Sequence, residues 1–272
     1  MSHDVRTPIN GIQGCVDIAD RYPDDLKLQQ EARTKIRTAS GYLLNLVNDV
    51  LDMNKLESGN IQLERKHFNL LEVLHNTNEI IRVQANESGV NYYVEDGEII
   101  HTQLIGSPVH FQQILMNIGS NAVKYNQDGG SVTVSCREVS YTDTTAEYEL
   151  TCTDTGIGMS EEFQKKAFEP FAQEGQSART KYAGTGLGLA IAKKLIELQG
   201  GTLFFESIQG KGTKFILRIP FEISAEEQEK KSHMYQNCSV EGVQILLVED
   251  NELNMEIAEF LLKEEKMKVT KA

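Results

Sequence analysis

Two glycine-rich stretches carry the first hint of chemistry: Asp154-Thr-Gly-Ile-Gly-Met159 and Gly184-Thr-Gly-Leu-Gly-Leu189. A carboxylate at Asp154 can accept a hydrogen bond from an adenine amino group. Gly156 and Gly158 let the backbone approach a flat base without a clashing Cβ. In the second stretch Gly184, Thr185, Gly186, Leu187 and Gly188 run straight into Ala190–Leu198, which reads as a helix. Bare N–H groups at a helix N-terminus suit an anionic phosphate. Either stretch alone marks only a tight loop. Together they point to a bound nucleotide.

A third group lies upstream, in a helical pattern over 107–125 that opens with Ser107-Pro108, a cap followed by a first-turn proline. Asn117 and Asn121 share one face of it, and Lys124 and Tyr125 follow at the next turn. An amide oxygen at Asn121 is a suitable hard ligand for Mg²⁺. Lys124 can neutralise phosphate charge. The plain alternative is a solvated face whose C-terminal lysine complements the helix dipole.

These residues need elements to position them. At 272 residues the chain has room for about two domains. Its 40% hydrophobic and 25% charged content is that of an ordinary soluble protein. A formal charge of -13 argues against a duplex nucleic-acid partner. No apolar run approaches the ~18 residues that cross a membrane. Cys15, Cys136, Cys152 and Cys238 have no metal-like spacing, which fits free thiols and a reducing, cytoplasmic compartment. A membrane anchor for a longer parent protein would have to lie upstream.

Residues 2–20 carry apolar residues at helical spacing, with a kink expected at Pro8. Arg21–Asp25 is a turn. Residues 26–57 repeat Ile36, Ala39, Leu43, Leu46, Val50 and Met53 as a heptad seam, widened by Leu44, Val47 and Leu51. So wide an apolar face calls for a helical hairpin that pairs with a second copy as a four-helix bundle. At equal rise, residues 2–20 cover 26–44 only, so about thirteen further residues of helix are expected upstream to cover 45–57.

Beyond Ile61 short β-rich runs (61–68, 91–95, 131–139, 146–152, 202–206, 213–220) alternate with helical patterns at 70–88, 107–125, 161–168 and 187–199. That predicts a two-layer α/β domain. The expected division is 1–59, 60–222, a linker over 223–242, and 243–272. The last piece is a strand, a helix and a stub, too little to bury a core.

Ser2-His-Asp-Val-Arg-Thr-Pro-Ile-Asn10, Asn117–Tyr125, Asp154–Met159, Phe168-Glu-Pro-Phe171 and Gly184–Leu189 resemble, in order, the five sequence boxes of sensor histidine kinases. Residues 243–272 resemble the start of a receiver domain, as in hybrid kinases. The resemblance implies a dimeric phosphoacceptor hairpin followed by an ATP-binding domain of the GHKL type. His3 would be the phosphoacceptor and Asp4 would hold its other ring nitrogen. Thr7 matches the position that orients water for dephosphorylation. Asn121 would hold Mg²⁺ on ATP, with Asn117, Lys124 and Tyr125 around the phosphates. Asp154 would select adenine. Lys181 and the glycines Gly184, Gly186 and Gly188, with Thr185, Leu187 and Thr213, would complete the nucleotide contacts. Phe168 and Phe171 would anchor a lid over 172–185. Glu249 and Asp250 match the acidic Mg²⁺ pair of a receiver whose phosphoacceptor aspartate would lie beyond Ala272.

Two departures stand out. Arg179-Thr-Lys-Tyr182 has its arginine one position early, leaving open whether Arg179 or Lys181 meets the γ-phosphate. Asn126 replaces the family's threonine. The implied partners are a second copy through residues 2–57 and a receiver domain, on this chain or another. Two other readings compete: a GHKL-type ATPase that hydrolyses ATP, and a nucleotide-binding scaffold without transfer. Hydrolysis is disfavoured because Phe111–Asn121 contains no carboxylate. His67, His75, His101, His110 and His233 have no companion acid in sequence and read as surface residues.

Overall fold

The computed structural model describes residues 2–59, 61–174, 185–224, 242–248, 252–264 and 266–271. They form two compact units, Met1–Ala225 and Glu226–Ala272.

The first unit begins with α1 (Ser2–Arg21) and α2 (Leu26–Glu57), a helical hairpin. Helix α1 runs unbroken through Pro8. Asp25 starts α2 by accepting from the N–H groups of Lys27 and Leu28, satisfying two of the donors that a helix start leaves open. Gln29 clasps the turn, donating to the carbonyls of Ala19 and Tyr22. Gly59 (φ +68°) ends the helix in the left-handed region.

The second row of α2 stays open, with Leu44, Val47 and Leu51 at 61%, 44% and 51% exposure. Residues 45–57, expected to need a helix from upstream, are covered in part by the α/β layer itself. Leu56 belongs to that layer's core, and Val50 and Met53 pack against it. The equal-rise argument could not foresee this, because it allowed α2 only helical partners.

The α/β layer follows: β1 (Lys66–Asn69), α3 (Leu70–Glu87), β2 (Asn91–Glu95), β3 (Gln103–Gly106), α4 (Pro108–Lys124), β4 (Ser131–Tyr141), β5 (Thr145–Asp154), α5 (Glu161–Gln164), α6 (Gly188–Leu198), β6 (Thr202–Ile208) and β7 (Gly212–Ile223). The strands lie in the order β1-β3-β7-β5-β4-β2, with β6 also on β7. Only β2 and β4 pair in parallel within this sheet. Strand β3 was not expected, because four residues leave no readable alternation. The helix expected over 161–168 stops at Gln164 and continues as turns.

Helices α3, α4 and α6 cover one face of the sheet. Helix α4 contributes Phe111, Ile114, Ile118 and Ala122, a stripe at helical spacing. Alternation sends Leu150, Cys152, Leu217 and Ile219 inward to meet it. On the opposite face Arg137, Glu149 and Arg218 stand in register across β4, β5 and β7. Both guanidiniums bond the Glu149 carboxylate and hold it below the usual carboxylate range, so a mostly buried charge is matched on both sides.

The second unit is β8 (Gln244–Leu247), α7 (Glu252–Glu264) and β9 (Lys268–Lys271), with the two strands parallel.

The coverage of α2 makes a stability prediction. Leu56→Ala, at 4% exposure, is expected to cost about 2–5 kcal/mol in chemical denaturation. Leu51→Ala, half exposed, is expected to change monomer stability by less than about 0.5 kcal/mol.

Candidate functional site

A cavity of about 290 Å³ opens where α4, the turn after β5, the start of α6 and a flank of α2 converge. It gathers Asn117, Asn121, Lys124, Tyr125, Asp154, Gly158, Thr185, Gly186, Gly188 and Thr213 from the sequence-based set. Gly156 and Leu187 are not among its lining; the Leu187 side chain is fully buried in the core.

Asp154 ends the inward row of β5, after Tyr148, Leu150 and Cys152, so alternation delivers a carboxylate to an apolar floor. Its Oδ1 accepts from the N–H groups of Gly156 (2.8 Å) and Thr213 (3.2 Å). Both bonds use one oxygen, which leaves Oδ2 for an incoming donor. Burial pushes the carboxyl up to about 6, against the pull of those two N–H groups.

The glycines after Asp154 serve a purpose the sequence did not signal. A Cβ on Gly156 would stand 2.3 Å from the Tyr125 carbonyl oxygen, and one on Gly158 2.1 Å from that of Ile208. They admit the protein's own backbone, and Gly158 also lines the cavity. Ile157 N–H then bonds the Tyr125 carbonyl (3.0 Å), tying this turn to the end of α4.

On α4 the buried Asn117 amide nitrogen has no hydrogen-bond partner among the described residues. Burial lowers Lys124 to about 8, and its ammonium lies 4.7 Å over the Tyr125 ring. Helix α6 begins at Gly188 without a side-chain cap. An orphan donor, a desolvated cation and an uncapped helix start are all relieved by one anion, so the residues fit a nucleotide's phosphates. Among the described residues no cluster of three or more His, Cys, Asp or Glu could hold a metal. A cation here would rest on amide and phosphate oxygens, which suits Mg²⁺.

Gly186 (φ +71°) closes the far side. A Cβ there would lie 2.8 Å from the Ala172 carbonyl oxygen, so the two ends of the 172–185 segment meet. Phe168 packs 5.3 Å from Phe205, and Phe171 is half exposed at φ 63°. Arg179, Lys181 and Gly184 lie outside the described residues, as do Glu249 and Asp250. Only the backbone of His3 and Asp4 is described, within the first turn of α1. Thr7 is exposed on the same helix.

Helix α2 supplies what the sequence did not signal. Tyr42, Asn45 and Asp49 line the cavity, and the Thr185 hydroxyl donates to Asp49 Oδ2 (2.7 Å). One turn on, Gln113 donates to Asp52 (2.7 Å). Burial raises the Asp49 carboxyl; the Thr185 bond opposes this and the Asp52 charge adds to it. Asp49 is 136 residues from Thr185, so no local pattern could reveal the pair. Asn126, the departure from the family pattern, is buried; it donates to the Ser131 carbonyl and accepts from Gln127 N–H, fastening the turn into β4. His101 and His110 are corrected too: Glu138 accepts from His101 at 2.8 Å, and Ser107 bonds His110 at 2.7 Å.

The fold and the cavity define a nucleotide-binding α/β layer joined to a helical hairpin. Residues 106–223 match the family of histidine kinase-, DNA gyrase B- and HSP90-like ATPases, and residues 1–59 match the His Kinase A phospho-acceptor domain. The chain is 32% identical over 266 residues to the autoinducer 2 sensor kinase/phosphatase LuxQ of Vibrio vulnificus, covering 97% of this chain and 30% of that protein. It is 36% identical over 230 residues to hybrid signal transduction histidine kinase A of Dictyostelium discoideum, covering 81% of this chain and 10% of that one. Full-length ShkA in complex with AMPPNP shares the fold, with a TM-score of 0.60 at 24% identity over 100% of this chain and 54% of that chain. The chain carries the phospho-acceptor and ATPase domains of histidine kinases. It spans about a third or less of the curated relatives it matches. Among the described residues no helix is long and apolar enough to cross a membrane.

The Asp154 geometry yields a prediction with a sign. Its folded-state pKa is raised, so it adds stability below the ordinary carboxylate range and loses that contribution as pH rises through about 6. An incoming amino donor favours the ionised form instead. Adenine-nucleotide affinity is therefore expected to fall as pH drops through about 6 in calorimetric titrations. Asp154→Asn is expected to keep a melting temperature no lower than the parent at alkaline pH, yet to lose at least about tenfold in ATP affinity.

Asp49 faces the same cavity as Lys124. Asp49→Asn keeps an acceptor for Thr185 and removes a negative charge. It is expected to tighten ATP binding roughly threefold to tenfold while leaving adenosine binding unchanged.

Proposed function

We propose that this chain is the ATP-dependent phosphotransfer part of a hybrid sensor histidine kinase. The observation that carries the reading is the convergence in one cavity of Asp154 Oδ2, an Asn117 amide nitrogen with no partner among the described residues, the partly desolvated Lys124 and the uncapped α6. One end of it suits a base with an amino group and the other suits phosphates.

Asp154 selects adenine, with Thr213 and Gly156 holding its other oxygen. Lys124, Asn117 and the start of α6 orient the phosphates, with Tyr125, Thr185, Gly186 and Gly188 around them. Asn121 would hold Mg²⁺, which neutralises charge on the phosphate oxygens when bound. Lys181 and Gly184 complete the wrap from the lid. One ring nitrogen of His3 forms a bond to the γ-phosphorus as the bond from that phosphorus to the bridging oxygen breaks. ADP leaves with the electron pair, and Asp4 takes the proton from the other ring nitrogen. The protein's part is positioning and charge neutralisation. Thr7 orients water for dephosphorylating the partner, a separate hydrolytic step.

The phosphoryl group then passes to a receiver aspartate. Residues 243–272, with Glu249 and Asp250, are the start of such a domain, a reading supported by the parallel strand–helix–strand of the second unit. The open row Leu44, Val47 and Leu51 supports pairing with a second copy through residues 2–57. The working compartment is the cytoplasm.

Hydrolysis for mechanical work is the second reading. It needs a carboxylate free to activate water. Of the described carboxylates of the cavity none lies on α4: Asp154 keeps its open oxygen at the base end, Asp49 is bonded by Thr185, and Glu174 by Ser160 N–H (2.8 Å). That favours transfer.

The test is incorporation of label from γ-labelled ATP into this chain and into a version extended upstream of Met1. An acid-labile phosphoprotein is expected, absent in His3→Gln although that protein still binds ATP. Undiminished labelling of His3→Gln would refute the assignment.

A further inference from the structure

A second cavity, of about 340 Å³, lies between α3, α4 and the sheet, on ground that the phosphotransfer reading leaves unused. Its walls are mainly apolar, with Leu74 and Ile81 from α3, Leu115 and Ile118 from α4, and Val134 and Leu150 from the strands, and they include the polar side chains of His75, Asn78, Ser135 and Thr151. Leu74, Leu115 and Val134 point into the core yet remain only partly buried, because the space beside them is unfilled. Lining atoms beside a void lack the contacts that packing supplies. A space of this volume falls in the class that takes small ligands, roughly 300–1,000 Å³.

The lip is built in advance. Ile100 and His101 donate their backbone N–H groups to Glu138 Oε2 at 2.9 Å each. The His101 ring bonds the other carboxylate oxygen, and the Tyr148 hydroxyl donates to the His101 carbonyl at 2.6 Å. These bonds pin the segment from Asp96 to Ile99 that borders the opening. The walls also include the Cys136 and Cys152 thiols, both pushed up to about 12 by burial. They are neutral and poor nucleophiles, so an occupant is held without a covalent bond.

Charge at the mouth selects the occupant. Arg82 is already paired with Glu79 and lies 6.0 Å over the Tyr92 ring. Glu95 and Asp96 are exposed at the opening and have no cationic partner among the described residues. The mouth is therefore net negative above an apolar interior.

We propose that this cavity is a second binding site, for a small apolar amine. The hydrocarbon body fills the space between the helices and the sheet, and the protonated nitrogen sits at Glu95 and Asp96. The inference does not depend on the nucleotide assignment, since the two sites are tested with different ligands.

The test uses 3-phenylpropylamine and its anionic counterpart 3-phenylpropanoate, followed by calorimetry and thermal shift near neutral pH. The amine is expected to bind saturably and raise the melting temperature. The carboxylate is expected to bind more weakly by at least roughly threefold. Val134→Phe fills the cavity and is expected to abolish amine binding while leaving ATP affinity unchanged; Leu74→Phe is a second filling variant should the first not fold. Glu95→Gln/Asp96→Asn changes only the surface and is expected to erase the preference for the amine. No saturable binding to the parent, equal binding of the two probes, or undiminished binding in a folded Val134→Phe or Leu74→Phe protein would each overturn the proposal.

Discussion

Asp154 Oδ1 takes two backbone N–H groups in a place where water is largely excluded. That arrangement organises the surrounding structure. The bond from Gly156 turns the chain back at the end of β5, and the bond from Thr213 ties that turn to β7. A buried carboxylate is costly unless its lone pairs are used. Here one carboxylate oxygen serves the fold and the other remains open, with the carboxyl pushed up to about 6 by its burial. The same turn reaches α4 through the Tyr125 carbonyl, so the two ends of the cavity share one corner.

The phosphate side is built the opposite way, from groups left unsatisfied. Among the described residues the buried Asn117 amide nitrogen has no partner, Lys124 has lost part of its hydration, and α6 starts without a side-chain cap. Each is unfavourable in the free protein. One anion would relieve all three together. Helix α2 adds a counterweight: Asp49 presents a carboxylate to the same cavity while holding Thr185. The hairpin that carries His3 is thereby linked to the nucleotide pocket by a polar contact, with Leu56 anchoring the pair in a common core.

Much of this was legible in the sequence, for a physical reason. Helices α2, α3 and α4 carry long periodic stripes and identifiable starts, so their ends fall within a residue or two of expectation. Asp154, Asn117 and Lys124 sit in compact local motifs, and the structure brings them to one cavity. Strand β3 was invisible because four residues carry no period. Asp49 and the His101–Glu138 bond were invisible because their partners are distant in sequence. At Gly156 and Gly158 the close approach of the Tyr125 and Ile208 carbonyls is a further constraint that only the folded backbone displays.

The central claim is that the cavity transfers phosphate to protein rather than to water. Following the fate of γ-phosphorus in a single turnover tests it most directly, with label on protein and label in inorganic phosphate measured in the same sample. The account predicts that label accumulates first in an acid-labile, base-stable protein linkage and that free phosphate trails it. Release of inorganic phosphate in step with ATP consumption, with no labelled protein at any time, would contradict it.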